Sequence, residues 1–496
     1  MSNKIKNVVI AGGGTAGWMA AAAFSKLLGK LISVTLIESD NIPTVGVGEA
    51  TIPTLHLFHD LLKIKESDFM AATNATFKLG ISFENWKQVN EDYMHSFGYI
   101  GQSCWAAGFQ HFWLKGYQQG IASDIGDYCP EHLASRLGKF AALPNQDRNH
   151  AFHTDAGLYA KFLRAISEQH GAKRVEGTIS KVNLNHSNGF IKSLTLADGQ
   201  QINGDLFIDC TGFKGLLIEE ALHTGYEDWR HWLPCDSAIA VQTRQTKPLV
   251  PYTRSIAHPS GWQWQIPLQY RMGNGLVFCS KYMTDQQAKD LLLENIEGDK
   301  LNEPRVLKFK TGTRRKHWNK NCVAIGLASG FIEPLESTSI HLIQQSVVRL
   351  MQSLPSTEME PAVVDDFNRK MRLEIENVRD FIVLHYHVTQ RDDSEFWRYC
   401  KSMEIPKSLQ DRIDLFVQSA QVYKTDQELF GEASWLQVMI GQGLMPKEYH
   451  PIVDNMSDEE LAGFLNTIKS TIQRRVNSLP NHVDFIQNYC RSAEMS

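Results

Sequence analysis

The fold is decided by residues 7–18, which read NVVIAGGGTAGW. We predict a strand over Asn7–Ala11, a tight turn over Gly12–Gly17, and an alanine-rich helix over residues 15–28. A second strand rich in β-branched residues follows over Ser33–Glu38. The opening of the chain is therefore predicted to form one β-α-β unit.

The turn of this unit carries a nucleotide-binding pattern. Gly12, Gly14 and Gly17, with Ala16 between them, satisfy G-x-G-x-x-G between a strand and a helix. Such glycines allow a tight turn, a close approach of a pyrophosphate, and close packing of the helix on the strand. Glu38 ends the next strand, where a carboxylate accepts hydrogen bonds from ribose hydroxyls. The pattern predicts a dinucleotide site and leaves FAD and NAD both open.

The rest of the chain divides into an α/β body and a helical part. A helix is predicted over residues 156–170, and hairpins that lead to a buried strand over residues 174–209. We assign residues 1–360 to the α/β body, with an irregular or helical insertion at about 84–150, and residues 361–496 to a helical carboxyl-terminal part. The apolar stripe of a long helix follows Pro361 at steps of three and four residues: Phe367, Met371, Ile375, Val378 and Ile382.

Composition excludes several classes of protein. The 50 basic and 55 acidic residues give a net charge of −5, so no basic excess exists for binding a phosphate backbone. No apolar run reaches 18 residues, so no membrane span is expected. The eight cysteines form no C-x-x-C pair, which favours a reduced, cytoplasmic protein.

Histidines are the other metal-binding candidates. His95, His111, His341, His385 and His387 lack the spacing of zinc ligands. We therefore expect them to be structural, and we predict no metal site.

Several further segments resemble one family. Gly46–Pro53 (GVGEATIP), Phe77–Gly80 (FKLG), Gly261–Pro267 (GWQWQIP), Phe331–Thr338 (FIEPLEST) and Trp435–Pro446 (WLQVMIGQGLMP) are similar to signatures of the flavin-dependent tryptophan halogenases. The resemblance covers nearly the whole chain. It implies an FAD-binding, Rossmann-like body of the flavin monooxygenase type with a helical carboxyl-terminal part that completes the substrate site.

The resemblance also implies a reaction. In that family reduced FAD, O2 and a halide give hypohalous acid, which passes through a tunnel to an electron-rich aromatic substrate. Lys78 would hold the oxidant or form a haloamine with it, Glu336 would accept the proton of the arenium intermediate, and Ser337 would help to orient them. The backbone N–H groups of Thr338 and Ser339 would bind chloride or bromide, although the family usually has glycine where this chain has Ser339.

The resemblance assigns the remaining site residues. Trp262 and Trp264 would form a wall between flavin and substrate. A separate flavin reductase would supply the reduced FAD, and a homodimer is the expected assembly. The cofactor-binding residues expected from the fingerprint and the resemblance together are Gly12, Gly14, Ala16, Gly17, Glu38, Val47, Ala50, Leu327 and Ile340.

Two questions stay open at this point. The chain is expected to be a halogenase, but a flavin monooxygenase of the same fold and a catalytically silent FAD-binding protein are alternatives. The substrate is expected to be an indole or phenol rather than free tryptophan. The segment before Trp435 has only Tyr423 where dedicated tryptophan enzymes carry neighbouring tyrosines and a carboxylate; Glu428 or Glu432 would be the partners of an ammonium group.

Overall fold

The predicted β-α-β unit is present with its predicted bounds. The computed structural model describes residues 4–42, 48–142, 147–425 and 428–492. Strand β1 (Asn7–Ala11) lies parallel to β2 (Ser33–Glu38), and helix α1 (Thr15–Leu28) connects them. The short β-branched strands are buried and the alanines of α1 pack against them, as expected for a parallel sheet covered by helices.

Helices and strands follow one another along the whole described chain. The further α-helices are α2 (Leu55–Leu61), α3 (Glu66–Ala72), α4 (Phe109–Gln118), α5 (Pro130–Arg136), α6 (Ala156–Gln169), α7 (Asp285–Glu294), α8 (Ser339–Gln352), α9 (Pro361–His387), α10 (Glu395–Ser402), α11 (Lys407–Ser419), α12 (Glu432–Gly441), α13 (Asp458–Asn477) and α14 (His482–Tyr489). The further strands are β3 (Gly48–Ala50), β4 (Thr76–Lys78), β5 (Gly80–Glu84), β6 (Asp92–Ser96), β7 (Ala151–Asp155), β8 (Lys173–Glu176), β9 (Ile179–Leu184), β10 (Ile191–Leu196), β11 (Gln201–Asn203), β12 (Leu206–Asp209), β13 (Tyr226–Asp228), β14 (Ser237–Arg244), β15 (Thr253–His258), β16 (Gly261–Pro267), β17 (Arg271–Phe278), β18 (Arg305–Lys308), β19 (Gly312–Arg314), β20 (Trp318–Asn319), β21 (Cys322–Ala324) and β22 (Gly330–Phe331).

Two large sheets frame the molecule. The first has the order β20-β21-β12-β1-β2-β8 and is parallel apart from its edge strand β20. The second has the order β18-β14-β17-β16-β15-β5-β6 and is antiparallel apart from the β15–β5 pair. A small sheet, β3-β7-β4, carries Lys78 at the end of β4. The predicted α/β class is confirmed.

The helical carboxyl-terminal part shares its core with the body. Phe367 and Met371 of α9 are buried in the same apolar cluster as β1 and α1, and so are Ile472 of α13 and Ile486 of α14. A second cluster joins the seven-stranded sheet to helices α9 to α12. The division near residue 360 stays a prediction, since apolar packing is continuous across it.

The segment predicted as an irregular or helical insertion contains a strand. It holds α4 and α5, but also β6, which pairs antiparallel with β5 at the edge of the seven-stranded sheet. The pattern of β6, Asp-Tyr-Met-His-Ser, is too polar to indicate a strand on its own; its side chains from Tyr93 to Ser96 are buried by tertiary contacts. The prediction for residues 84–150 was incomplete in this respect. The predicted hairpins are present as β9-β10-β11, whereas β8 joins the parallel sheet.

Among the described residues, no helix is both long and apolar enough to cross a membrane.

Candidate active site

The glycine-rich turn after β1 leaves room where side chains would otherwise be. Gly12 has a φ of +105°, and a Cβ there would collide with the carbonyl oxygen of Cys210. A Cβ at Gly17 would collide with the carbonyl oxygen of Gly12, and one at Gly13 would collide with the carboxylate of Glu38. Glu38 therefore lies directly over the turn.

Partners from other elements hold Glu38 in this place. Trp18 Nε1 donates to Glu38 Oε2 at 3.3 Å, and Arg174 Nε donates to Glu38 Oε1 at 2.5 Å. The cap of α1 is Gly14, which has no side chain to meet the first N–H groups of the helix, so these groups face the turn. A turn without side chains, a free helix terminus and an adjacent carboxylate fit the pyrophosphate and ribose of a dinucleotide such as FAD.

The other predicted cofactor residues lie in different positions around this turn. Ala16 lies beside the 3₁₀ turn Gly326–Ala328, which contains the half-buried Leu327. The two are so close that a Cβ added at Gly326 would lie 2.8 Å from the Cβ of Ala16. Ile340 is buried near the start of α8, and the half-buried Ala50 ends β3. Val47 lies outside the described residues.

Lys78 is wholly buried at the end of β4. Its Nζ donates to Ser337 Oγ at 2.7 Å and to the carbonyl oxygen of Thr51 at 3.1 Å, and it lies 5.1 Å from the ring centroid of Phe97. Burial lowers the pKa of Lys78 to about 7, although the carboxylate of Glu336 raises it. The amine therefore exists in both protonation states near neutral pH.

Glu336, which precedes Ser337, is wholly buried between two histidines. His95 Nδ1 hydrogen-bonds Glu336 Oε2 at 2.8 Å, and His385 Nε2 lies 2.8 Å from Glu336 Oε1. Burial raises the pKa of Glu336, but His95 and His385 together outweigh it and lower the pKa to about 2. Tyr93 OH hydrogen-bonds His385 Nδ1 at 2.8 Å, so the hydrogen-bonded chain that starts at Glu336 extends through His385 to Tyr93.

The spacing of His95 and His385 in the sequence predicts only a structural role for them. His95 lies on β6 and His385 near the end of α9, far from Glu336 along the chain. The strand β6 was not predicted, so no local pattern directed His95 toward Glu336. The structure therefore adds what the spacing of these residues did not indicate: both histidines lie against the carboxylate of the predicted base.

The residues predicted to bind halide lie at the start of α8. Thr338 caps this helix, its side chain makes no capping hydrogen bond within the described part of the chain, and Ser339 is its first residue. The residue with a left-handed backbone is Ser337, with a φ of +60°, and not Ser339. Position 339 is helical, so the serine that stands there instead of the family's usual glycine needs no positive φ.

Trp262 and Trp264 lie next to each other on β16, with ring centroids 6.0 Å apart. Trp262 Nε1 donates to Glu333 Oε2 at 2.6 Å, and Tyr386 OH donates to the same oxygen at 2.6 Å. Burial raises the pKa of Glu333 to about 7, against the two hydrogen bonds that lower it. Glu333 lies in the FIEPLEST segment and was not predicted as a site residue; its hydrogen bond from Nε1 holds the indole of Trp262 in place.

An aromatic cluster extends from His95 toward the carboxyl-terminal helices. Phe381 stacks on Phe430 with centroids 3.8 Å apart and meets Trp435 edge-on at 4.8 Å. The His95 ring lies 5.5 Å from that of Phe381. The cluster thus provides apolar, aromatic surface beside Glu336.

A buried ion pair lies behind Trp435. The guanidinium carbon of Arg412 lies 4.1 Å from the Trp435 centroid and 4.3 Å from that of Tyr423, and its Nη2 donates to Glu428 Oε1 at 2.5 Å. Glu428 is therefore already paired, and Glu432 is exposed to solvent. Of the two predicted partners for an ammonium group, Glu428 is not available without breaking this pair.

Comparisons with known proteins agree over the whole length. The sequence matches the family described as tryptophan halogenase over residues 7–458. Tryptophan 7-halogenase RebH of Lentzea aerocolonigenes is 32% identical, over 98% of this chain and 99% of the relative.

Solved structures give the same result. Xcc4156, a flavin-dependent halogenase from Xanthomonas campestris, shares 53% identity with a TM-score of 0.97 over 99% of both chains. BrvH, a flavin-dependent halogenase from Brevundimonas sp. BAL3, shares 43% identity with a TM-score of 0.94 over 98% of this chain and 99% of its own.

These matches confirm the predicted family, enzyme class and cofactor. Flavin-dependent halogenases use reduced FAD from a flavin reductase, a halide and a small aromatic substrate. The glycine turn under Glu38 fits that cofactor, and the matched structures cover both the α/β body and the helical part, since they span 98–99% of this chain. The chain belongs to the tryptophan halogenase family and is a flavin-dependent halogenase.

Proposed function

We propose that this enzyme halogenates an indole or a similar electron-rich aromatic compound, and that Lys78 and Glu336 divide the chemistry between them. The observation that carries the proposal is the position of Lys78 Nζ, wholly buried and bonded at 2.7 Å to the hydroxyl of the residue that follows Glu336. The amine is thereby held against the segment that carries Glu336, whose carboxylate acts on it electrostatically. Bound reduced FAD supplies the electrons with which O2 and halide give hypohalous acid.

Lys78 would place the electrophilic halogen. A pKa of about 7 leaves the amine partly neutral at neutral pH, and a neutral amine has the lone pair that accepts halogen. The ammonium form would instead donate a hydrogen bond to hypohalous acid. Either way Ser337 Oγ and Thr51 O hold Nζ in one position, which supports a positioning role of the kind that lowers activation entropy.

Glu336 would stabilise the cationic ring and remove its proton. A pKa of about 2 means that the carboxylate stays ionised at any working pH, as a group that stabilises a cation must. An arenium ion is a strong acid, so a weak base suffices to accept its proton. His95 and His385 support this role, because His95 hydrogen-bonds one carboxylate oxygen and His385 Nε2 lies 2.8 Å from the other.

The halide would meet the amino end of α8. Thr338 and Ser339 present the first N–H groups of the helix, and the positive end of the helix dipole favours an anion there. Trp262 and Trp264 would separate this region from the organic substrate, a role that the anchoring of Trp262 by Glu333 supports. Ser337 lies between the amino end of α8 and Lys78, and would connect the halide site to Lys78 through its hydrogen bond with the amine.

Free tryptophan is not the preferred substrate in this proposal. The cluster of Phe381, Phe430 and Trp435 suits an indole ring, but Glu428, which was predicted as a partner of an ammonium group, is neutralised by Arg412. The alignment with RebH spans 527 positions, more than the 496 residues of this chain, so the relative carries insertions that this chain lacks. A zwitterion buried here without partners would lose on the order of 1–3 kcal/mol per unsatisfied group, or roughly 5- to 150-fold in selectivity.

The remaining proposals concern the setting of the enzyme. We propose a cytoplasmic protein, supported by the eight cysteines, all of which lie in described segments and are free thiols. We also propose a homodimer, supported by large apolar side chains that are exposed in the single chain, such as Leu31 and Leu57. Light scattering of the purified protein tests the second proposal; a monomer contradicts it.

Competition between substrates tests the proposed function. Indole and free tryptophan compete in one vessel with a flavin reductase, FAD and NADH, with bromide and chloride in separate runs. We expect halogenated indole, no hydroxylated product, and a kcat/KM for indole roughly 5- to 150-fold above that for tryptophan. A preference for tryptophan contradicts the substrate proposal, hydroxylated product indicates a monooxygenase, and flavin binding without any product indicates a silent FAD-binding protein.

A further inference from the structure

A cluster of two histidines and one glutamate lies outside the site described above. His56 on α2, Glu66 at the start of α3, and His150 just before β7 come together in space. His150 Nε2 lies 3.1 Å from Glu66 Oε2, and His56 Nδ1 lies 3.7 Å from the same oxygen. The side chains are 6%, 7% and 18% exposed for His56, His150 and Glu66 respectively, so the cluster is mostly withdrawn from solvent.

The hydrogen bonds of His56 leave an unexplained contact. His56 Nε2 lies 2.8 Å from the carbonyl oxygen of His150, and a carbonyl only accepts, so Nε2 carries the proton. In the neutral imidazole Nδ1 then has a lone pair, and this lone pair faces the carboxylate of Glu66. Two electron-rich atoms facing each other in a buried place are stabilised by a cation between them. A backbone carbonyl on the far nitrogen is also the usual way in which a ligating histidine is oriented.

The distances suit a small divalent cation. The three ligand atoms all lie within 4.8 Å of one another, and two of their separations are 3.1 and 3.7 Å. A point no more than roughly 2.4 Å from all three therefore exists, close to the roughly 2.0–2.2 Å of bonds from Zn²⁺ to imidazole or carboxylate. The cluster needs to contract by only a few tenths of an ångström to bind the ion.

We propose that His56, Glu66 and His150 bind Zn²⁺. Imidazole nitrogens with one carboxylate are a ligand set that Zn²⁺ accepts. The proton that His150 Nε2 donates to Glu66 would move to Nδ1 of the same ring by exchange with water, so that the neutral imidazole binds through Nε2. A fourth position is left for water, because Glu66 and His150 line a cavity of about 430 Å³. Arg148 lines the same cavity, but its charge is compensated by Asp60 at 3.0 Å.

The site would brace the strand that supports Lys78. His150 immediately precedes Ala151, and Ala151 is the register partner of Lys78 in the β4–β7 pair. A cation would join the consecutive helices α2 and α3 to the start of β7, with His150 lying 84 residues beyond Glu66 in the chain. The spacing of these residues gave no zinc pattern because the ligands come from separate elements, so the expectation of no metal site could only be revised from the structure.

Zinc titration of the tag-free protein tests this proposal. We expect one Zn²⁺ per chain by calorimetry, and an increase in the thermal midpoint of roughly 2–3 °C at a free concentration of 100 times Kd. Glu66→Gln, which keeps the shape of the side chain, should weaken binding at least tenfold. Glu131→Gln is the matched control, because Glu131 lines the same cavity but lies outside the cluster.

A spectroscopic measurement keeps the test independent of folding. Co²⁺ in place of Zn²⁺ should give visible absorption bands of a site with nitrogen and oxygen ligands in the wild type and in Glu131→Gln, and much weaker bands in Glu66→Gln. No binding of either ion below about 100 µM, a Kd that corresponds to only about 5.5 kcal/mol of binding free energy, overturns the proposal. Equal binding by wild type and Glu66→Gln does so as well. Neither result affects the halogenase assignment, which is measured by product formation.

Discussion

Replacing Lys78 by methionine should separate oxidant formation from halogen transfer. Methionine has nearly the length of lysine but no amine, so the site keeps its packing and loses the group bonded to Ser337 Oγ and Thr51 O. The oxidant would still form, but nothing would hold it over the substrate. Since positioning of reactants contributes several powers of ten in rate, we expect halogenated product to fall by at least roughly 10³-fold, with flavin oxidation unchanged.

The free energy of unfolding of Lys78→Met, relative to the wild type, follows from the same contacts. A pKa lowered from 10.5 to about 7 means that the folded protein disfavours the protonated amine by roughly 5 kcal/mol. Removing the amine relieves that penalty but leaves two acceptors without their donor, at about 1–3 kcal/mol. The free energy of unfolding of Lys78→Met at pH 7 should therefore exceed that of the wild type by roughly 2–4 kcal/mol.

The pH dependence has a definite sign. Unfolded lysine binds a proton more tightly than buried Lys78, so the wild type gains stability as pH rises from about 7 toward 10.5. The advantage of Lys78→Met should shrink over that range. Catalysis through the neutral amine should likewise give a rate that rises with an apparent pKa near 7, and a falling limb there would assign the ammonium form instead.

Single-turnover experiments with reduced FAD, bromide and indole measure both quantities. Product is followed by mass spectrometry, flavin oxidation by absorbance, and stability by the thermal midpoint. Lys115→Met is the matched control, since Lys115 is also buried but bonds the carbonyl oxygen of Met456 at 3.1 Å, away from the site. Wild-type product yield in Lys78→Met would refute the reasoning, because freely diffusing hypohalous acid would then be the halogenating species.

Three further changes probe the other parts of the site. Glu336→Gln should lower kcat roughly 10²- to 10⁴-fold without abolishing product, and an unchanged kcat contradicts its role. Because the pKa of Glu336 is about 2, the pH profile of the wild type should show no loss of rate from this residue above about pH 4. Gly13→Ala should displace Glu38 and weaken FAD binding at least roughly tenfold by fluorescence quenching, whereas the control Gly463→Ala, which has open space for a Cβ, should bind FAD normally. Ser339→Gly should change the ratio of brominated to chlorinated product in mixed halide without affecting FAD binding, and a constant ratio across several residues at 339 would remove that position from the halide site.

Local sequence was sufficient for the nucleotide-binding unit. The strand, turn, helix and second strand at the amino end have the predicted bounds, because each depends on residues adjacent in the chain: β-branched runs for β1 and β2, glycines for the turn, alanines for α1. The same holds for α6, which was predicted over residues 156–170 and spans Ala156–Gln169. Lys78 and Glu336, by contrast, were singled out only because the short motifs that contain them resemble those of the tryptophan halogenase family.

Only the tertiary structure decided what surrounds those two residues. His95 and His385 reach Glu336 from β6 and α9, and Arg412 neutralises Glu428 from α11. Burial from all sides lowers the pKa of Lys78, and the two histidines lower that of Glu336 against its burial; no single segment provides these surroundings. Hydrophobic periodicity reports which face of an element is buried but not which element lies against it, so contacts between distant segments, and the pKa shifts that they cause, become visible only in the folded chain.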